Sequence, residues 1–64
     1  MMNATDKKAY WSGYYAMKRL AASYYDAWEA WTTINASNAS NAYVRGAYRA
    51  YNYIKRVGIA KAML

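Results

Sequence analysis

The sequence predicts an all-α fold: a two-helix antiparallel hairpin, one domain over residues 1–64, whose copies pair into a four-helix bundle. Pro is absent and Gly occurs only 3 times among 64 residues, so nothing forbids long helices. Apolar side chains recur at alternating steps of four and three residues, which is the spacing of one helix face. A stretch of small polar residues, NASNASNA (35–42), separates two such patterns.

The first helix is predicted over residues 5–33. Asn3 or Thr5 is expected to cap it, because a short polar side chain accepts hydrogen bonds from unpaired N–H groups of the first turn. Asp6 lies where its negative charge interacts favourably with the helix dipole. The apolar positions follow a heptad seam at Tyr10, Tyr14, Met17, Ala21, Tyr24, Trp28 and Trp31.

The NASNASNA stretch is predicted to form the corner between the helices, with a turn over 34–41. Asn and Ser side chains compete for backbone hydrogen bonds, so they are poor inside helices and good at helix caps. The Asn-Ala-Ser repeats also match the N-glycosylation pattern, but that alternative needs a translocated chain. The N-terminal MMNATDKKAYW lacks the apolar core of a signal peptide. A disordered linker is disfavoured, since neither helix could bury its apolar face alone.

The second helix is predicted over residues 42–61. Gly58 either ends this helix or lies in a fraying last turn. Lys55, Arg56 and Lys61 lie toward its C-terminus, where the helix dipole favours positive charge. Its apolar seam repeats the steps of the first helix at Tyr43, Ala47, Ala50, Ile54 and Val57.

Two segments of the sequence resemble each other. AYWSGYY (9–15) and AYVRGAY (42–48) share Ala, Tyr, Gly and Tyr at matching positions. Each glycine falls inside a predicted helix, where Gly costs about 1 kcal/mol relative to Ala. A close crossing of the two helices would explain both glycines, and chance similarity in a chain rich in Tyr and Ala is the alternative.

The chain is strongly basic, with 9 Lys and Arg residues against 3 acidic residues and a formal net charge of +6. This excess favours a polyanionic partner, either nucleic acid or an anionic membrane surface. Because Cys and His are absent, disulfides and ordinary zinc sites are excluded. A chain this small is then expected to gain stability by self-association, as a homodimer or a higher helical assembly.

The basic residues fall mainly on the faces opposite the apolar seams. One polar stripe of the second helix extends about 16 Å along the helix axis, and its members are Arg45, Arg49, Asn52 and Arg56. The alternative is a solvated helix face that Asp26 and Glu29 partly neutralise. The residues predicted to contact nucleic-acid phosphates are Lys7, Lys8, Lys18, Arg19, Arg45, Arg49, Asn52, Lys55 and Arg56. The off-seam aromatic candidates for contact with nucleic acid or a neighbouring subunit are Trp11, Tyr15, Tyr25 and Tyr53.

No enzyme is predicted, and we expect no cofactor, metal or small-molecule substrate. The 3 carboxylates are scattered, His and Cys are absent, and no Gly-rich loop precedes a helix. Nor is there a recognition-helix motif that would read bases. The expected function is therefore sequence-independent binding to double-stranded DNA through its backbone, with a steep dependence on salt.

The two arms KKAYWSGYYAMKRL (7–20) and NAYVRGAYRAYNYIKR (41–56) resemble the DNA-packaging nucleocapsid proteins of hyperthermophilic archaeal viruses. Those proteins are short, basic, Tyr-rich α-helical hairpins without Cys, and the resemblance covers nearly the whole chain in architecture and composition. In that group, helical protomers pair and wrap double-stranded DNA, often in the A form. The resemblance implies a location in the virion interior on the genome, or otherwise in the cytoplasm or nucleoid.

Other classes of protein share some of these features. AYWSGYYA (9–16) and YVRGAYRA (43–50) are similar to the Gly-aromatic helices of ribosome modulation factors, which bind ribosomal RNA, although the Pro-containing segment between those helices is missing. The main alternative is a membrane-active cationic peptide similar to leaderless bacteriocins. A mean hydropathy of -0.38 and an apolar face of Tyr and Ala disfavour that role and a membrane partner. A small adaptor that binds an acidic protein is the third possibility.

Overall fold

The computed structural model describes residues 2–63, which form four helices and, within that range, no strand. They are α1 (Ala4–Tyr24), α2 (Ala27–Asn35), α3 (Asn41–Val57) and α4 (Ile59–Ala62). The predicted all-α fold is confirmed, and the helices pack into a body of 32 × 23 × 15 Å. Pairing of two chains into a four-helix bundle stays a prediction.

The start of α1 follows the predicted capping chemistry. Asn3 is the N-cap, and its side-chain oxygen accepts a hydrogen bond of 2.8 Å from the Asp6 backbone N–H. Its backbone carbonyl accepts a second bond, of 2.9 Å, from the Lys7 N–H. Of the two candidate caps, Asn3 is confirmed and Thr5 lies inside the helix.

The prediction of one continuous helix over 5–33 is wrong, because the chain leaves the helix at Tyr25. Tyr25 adopts the left-handed conformation, with φ 52° and ψ 38°, and its N–H donates to the Ala21 carbonyl. The Asp26 N–H donates to the same carbonyl at 3.2 Å. Asp26 then caps α2, since its carboxylate accepts a 3.2 Å bond from the Glu29 N–H.

This interruption changes which side chains of the predicted seam are buried. Tyr24 and Trp28 were expected in the seam, but they are 42% and 62% exposed. Ala30 and Ile34 are the buried residues of α2, and Trp31 packs against the core while remaining partly exposed. The left-handed residue redirects the chain, so the helical phase of α1 does not continue into α2.

The NASNASNA stretch is confirmed as the corner between two helices. The Ser37 hydroxyl donates to the Ile34 carbonyl at 2.6 Å, next to the end of α2 at Asn35. Ser40 is the N-cap of α3, and its hydroxyl accepts a bond from the Tyr43 N–H at 3.3 Å. Both serines satisfy backbone groups that a helix end leaves unpaired.

Gly58 ends α3, which corrects the prediction of one helix over 42–61. Its φ of 90° lies in a region that L side chains rarely adopt, whereas a Cβ at this position would meet nothing within 4 Å. Backbone conformation, not lack of space, therefore requires glycine here. The short helix α4 follows directly.

α1 and α3 form the largest helix–helix interface, and both of its glycines lie at the crossing. A Cβ on Gly13 would overlap the Tyr43 carbonyl oxygen, and a Cβ on Gly46 would overlap the Tyr10 carbonyl oxygen. Because Gly13 pairs with Tyr43 and Gly46 with Tyr10, the helices run antiparallel and the crossing is reciprocal. The two similar segments therefore cross closely, and the glycine of each segment lies against the backbone of the other.

The core beneath this crossing is narrow and rich in alanine. Among its members only Met17 is a large side chain that is fully buried. The cluster consists of Met17, Ala21, Ala30, Ile34, Ala47, Ala50, Ile54 and Ala62. Most of the seam positions of both predicted helices are thus buried or half-buried within one chain. None of the helices between residues 2 and 63 combines the length and apolar character needed to cross a membrane.

Candidate nucleic-acid interface

The polar stripe predicted on the second helix lines a single groove on α3. Arg45, Arg49, Asn52 and Arg56 are all exposed there, and the cavity volume is about 940 Å³. We call it the arginine groove. Its other lining residues are Tyr10, Tyr14, Trp31, Val44, Tyr48 and Tyr53. The stripe is therefore the polar part of a groove whose other walls are mostly aromatic.

The aromatic walls come from two ring clusters. The α1 cluster has ring centroids 5.2 to 6.4 Å apart and consists of Tyr10, Trp11, Tyr14 and Tyr15. The α2–α3 cluster has centroids 5.2 to 6.3 Å apart and consists of Trp28, Trp31, Tyr48 and Tyr51. Each cluster contributes two rings to the groove, Tyr10 and Tyr14 from the first, Trp31 and Tyr48 from the second.

Basic side chains lie over these rings. The Arg49 guanidinium is 5.6 Å from the Trp11 ring centroid, a contact that joins α3 to α1. The Lys18 ammonium lies 5.6 Å from the Tyr14 ring and 5.9 Å from the Tyr15 ring. Such cation–π contacts restrict long flexible side chains before a ligand arrives. The entropy lost when they meet a phosphate is correspondingly smaller.

Arg49 is the member of the stripe that lies against α1. A side-chain hydrogen bond with Tyr10 raises the pKa of its guanidinium, and Coulombic interaction with Tyr10 and Tyr14 acts in the same direction. Arginine is charged throughout the accessible pH range, so the gain is in position and not in ionisation. The Trp11 ring, with its centroid 5.6 Å from the guanidinium carbon, places the Arg49 head group against α1.

A second, shallower site lies on the outer face of α1. Its volume is about 390 Å³, and we call it the α1 patch, lined by Lys8, Trp11, Ser12, Tyr15 and Arg19. Four of these five residues belong to the predicted contact set. Trp11 lies in the patch and contacts Arg49 of the groove, so the two basic surfaces adjoin.

Other predicted contacts lie outside both surfaces. Lys7 is exposed in the first turns of α1, and Lys55 lies 5.1 Å from the Tyr51 ring centroid. Tyr25 is 72% exposed at the turn between α1 and α2. Asp26, which the alternative interpretation sets against the stripe together with Glu29, is the N-cap of α2.

Sequence reasoning missed the walls of the groove. Tyr10, Tyr14 and Trp31 were assigned to the seam, and Tyr48 was not selected. A signal for Tyr48 was available, because it lies three residues after Arg45 and four before Asn52, the spacing of side chains that meet on one helix face. The contribution of Tyr10, Tyr14 and Trp31 depends on how α1 and α2 pack against α3.

Comparison of the chain with protein-family models, with curated proteins and with solved structures found no match. Within residues 2–63, no three His, Cys, Asp or Glu side chains are grouped so that they could hold a metal ion. The linings of the groove and the patch present guanidinium, ammonium, amide, hydroxyl, phenol and indole groups. All of these donate hydrogen bonds to anions, and the guanidinium and the aromatic rings also stack on flat rings.

Proposed function

We propose that this protein binds nucleic acid through the arginine groove and the α1 patch, and that it coats double-stranded DNA as a genome-packaging nucleoprotein of a virus. The observation that carries the proposal is the continuity of the two surfaces. All four members of the α3 stripe line one groove, and Arg49 connects that groove to the patch through Trp11. Solvation of a helix face alone does not predict a groove that adjoins a second basic surface.

The proposed contacts follow from the chemistry of each group. Arg45, Arg49 and Arg56 donate paired hydrogen bonds to phosphate oxygens, since the guanidinium presents its donors as a planar fork. Asn52 adds a neutral donor between them. The groove rings pack against sugars or exposed base faces. None of these contacts distinguishes one base pair from another, so binding depends on the backbone.

The two surfaces differ in their role under this proposal. The groove holds its arginines among aromatic walls and sets the position of the strand. Lys8 and Arg19 of the patch, together with Lys18 between the two surfaces, add charge along the path of the backbone. Because Lys8 and Arg19 are exposed, salt screens their attraction for phosphate strongly.

Binding to random-sequence double-stranded DNA over a salt series, from about 50 to 500 mM, tests the proposal. We expect the logarithm of the binding constant to fall linearly with the logarithm of salt, by roughly 0.9 for each phosphate neutralised on B-form DNA. Undetectable binding at the lowest salt would overturn the proposal. Leakage of anionic liposomes in the same buffer would then favour the membrane-active alternative.

A further inference from the structure

The turn between α1 and α2 exposes aromatic and acidic side chains that line neither the groove nor the patch. Trp28 is 62% exposed, Tyr25 is 72% exposed and Tyr24 is 42% exposed. Asp26 and Glu29, two of the chain's 3 acidic residues, lie among them and are exposed. We call these five residues the acidic corner.

The charge of this corner is opposite to that of the rest of the chain. Without Asp26 and Glu29, Asp6 is the one remaining acidic residue against 9 basic residues. The corner therefore concentrates negative charge beside exposed rings, whereas the arginine groove concentrates positive charge between rings. These two surfaces are complementary in charge and alike in their aromatic content.

We propose that the acidic corner of one copy docks into the arginine groove of a second copy. The carboxylates of Asp26 and Glu29 meet groove arginines of the partner, and Trp28 packs against the partner's groove rings. Such a contact removes exposed tryptophan and tyrosine from water, which favours association. The inference uses the groove of the proposed function, but it does not require that nucleic acid bind there.

The local structure presents the corner outward. Tyr25 is held in its left-handed conformation by bonds to the Ala21 carbonyl, so the chain turns at the point where the rings and acids are clustered. One Asp26 oxygen caps α2, and the exposed carboxylate keeps further acceptor capacity. The Thr32 and Thr33 hydroxyls donate to the Glu29 carbonyl at 3.0 and 2.9 Å, which fixes the backbone below the Glu29 side chain.

A corner-in-groove contact uses different surfaces on its two partners. Such heterologous contacts leave a free groove at one end and a free corner at the other, so they continue into open chains unless the rotation closes. Nucleic acid and the corner offer the groove the same chemistry, negative charge beside flat rings. Self-association and nucleic-acid binding are therefore expected to compete for one groove.

Sedimentation of the protein alone, over a concentration series in about 50 mM salt, tests the docking. We expect the average mass to rise with concentration, and Glu29→Lys to weaken that association by about tenfold or more. Asp6→Lys is the matched control, because it makes the same charge change at an exposed acid in the first turn of another helix. Equal effects of the two variants, or no mass increase in the parent, would overturn the docking.

A mixing experiment separates corner-in-groove docking from a symmetric dimer. Glu29→Lys keeps an intact groove, and the double variant Arg45→Ala/Arg49→Ala keeps an intact corner without giving its groove a negative charge that the new lysine could meet. At a concentration where the parent associates, each variant alone should be largely monomeric, whereas their mixture should form a one-to-one complex that stops at two copies. Circular dichroism confirms that both variants are helical, and Glu29→Gln replaces Glu29→Lys if that variant unfolds. A mixture of folded variants that stays monomeric would contradict the pairing.

DNA binding by Glu29→Lys distinguishes this inference from the proposed function. Because the variant keeps its groove, it should bind DNA at least as tightly as the parent, while its self-association is weakened. Failure of the parent to bind DNA, with self-association and the mixing result intact, would remove the nucleic-acid role and leave the docking in place. If the parent bound DNA but did not self-associate, the docking would be removed and the nucleic-acid role would remain.

Discussion

The two aromatic clusters of this fold have similar ring spacing and different charged neighbours. In the α1 cluster, Lys18 and Arg49 lie within 5.9 Å of ring centroids. In the α2–α3 cluster, Lys55 lies 5.1 Å from the Tyr51 centroid, but the exposed Trp28 stands next to Glu29 in α2. The contrast is sharpest between two tryptophans, because Trp11 lies against Arg49 and Trp28 lies beside Glu29. The other rings of the second cluster do not share the acidic neighbour, since Trp31 and Tyr48 line the arginine groove.

The difference has a structural origin in the continuity of the helices. The rings of the α1 cluster all belong to one unbroken helix, where Trp11 meets Tyr14 and Tyr15 at spacings of three and four residues. The α2–α3 cluster forms between two helices, and it depends on the left-handed turn at Tyr25 that directs α2 onto α3. A change at the crossing or at this turn should therefore affect the two clusters differently.

The largest expected effect comes from the glycine crossing, which positions the α1 cluster beside the groove. Gly13→Ala or Gly46→Ala places a Cβ against a backbone carbonyl of the opposite helix. Overpacking of this kind costs about 1–3 kcal/mol, and backbone atoms cannot move aside as a flexible side chain can. We expect the midpoint of thermal unfolding to fall by about 4–8 °C for each kcal/mol of destabilisation.

Ser12→Ala is the matched control for the crossing variants, because Ser12 is exposed in the same turn of α1. It should change the midpoint of thermal unfolding little, since surface substitutions usually stay within about 0.5 kcal/mol. Equal midpoints for Gly13→Ala and the parent would show that α1 and α3 do not approach closely at this position.

Sequence patterns predicted the α1 side of the molecule better than the α2 side. The Asn3 cap, the NASNASNA corner and the α3 stripe all follow from local chemistry or helical spacing. The close glycine crossing was one of two alternatives that the internal sequence similarity left open. The interruption at Tyr25 did not, because Tyr24, Trp28 and Trp31 continue the heptad rhythm across it. The local signal was the pattern Asp26-x-x-Glu29, an N-cap followed by an acid in the first turn.

The groove could be predicted only in part, because some of its walls come from other helices. The α3 stripe is a property of one helix, and its spacing was visible in the sequence. The walls require the placement of Tyr10, Tyr14 and Trp31 from two other helices. That placement depends on the turn at Tyr25 and on the close crossing at Gly13 and Gly46, which are tertiary features.

The next prediction tests whether charge in the groove, and not total charge, binds DNA. The double variant Arg45→Ala/Arg49→Ala should weaken binding and lower the slope of the salt dependence by about 2, roughly 1 for each phosphate that is no longer neutralised. Helicity should be unchanged, because both side chains are exposed. Fluorescence anisotropy with a random duplex over the salt series measures both quantities.

Lys61→Glu is the control, since it lowers the net charge by the same amount at an exposed site on α4 outside the groove and the patch. We expect a small change in affinity from long-range attraction. If this variant and the double arginine variant weakened binding equally, the stripe would be an ordinary solvated face.

A paired substitution separates the two aromatic clusters directly. Trp11→Ala removes the ring over which Arg49 lies, and DNA affinity should fall several-fold, since an exposed cation–π contact contributes about 0.5–1 kcal/mol. Trp28→Ala should leave DNA affinity unchanged and weaken self-association. Fluorescence anisotropy measures the DNA affinity of each variant, and sedimentation measures its self-association. A fall in DNA affinity of the same size in both variants would contradict the division between the clusters.

The smallest expected effect concerns the turn that separates the clusters. Tyr25 holds a left-handed conformation that costs an L side chain about 1–2 kcal/mol, and glycine adopts it without that cost. Part of this gain is offset because glycine also increases the entropy of the unfolded chain. We therefore expect Tyr25→Gly to raise the free energy of unfolding by about 0.5–1 kcal/mol. Self-association should weaken in the same variant, because an exposed ring of the acidic corner is gone.

Tyr24→Gly, at the neighbouring position, should change the free energy of unfolding in the opposite direction. Tyr24 is the last residue of α1 and has helical geometry, so glycine there should lower stability by up to about 1 kcal/mol. Urea unfolding of both variants measures the difference in sign. If Tyr25→Gly destabilised the protein as much as Tyr24→Gly, then the ring of Tyr25 would contribute more to the protomer than its backbone strain costs. Tyr25 would then pack against its own protomer, and its ring would not be free to contact a second copy.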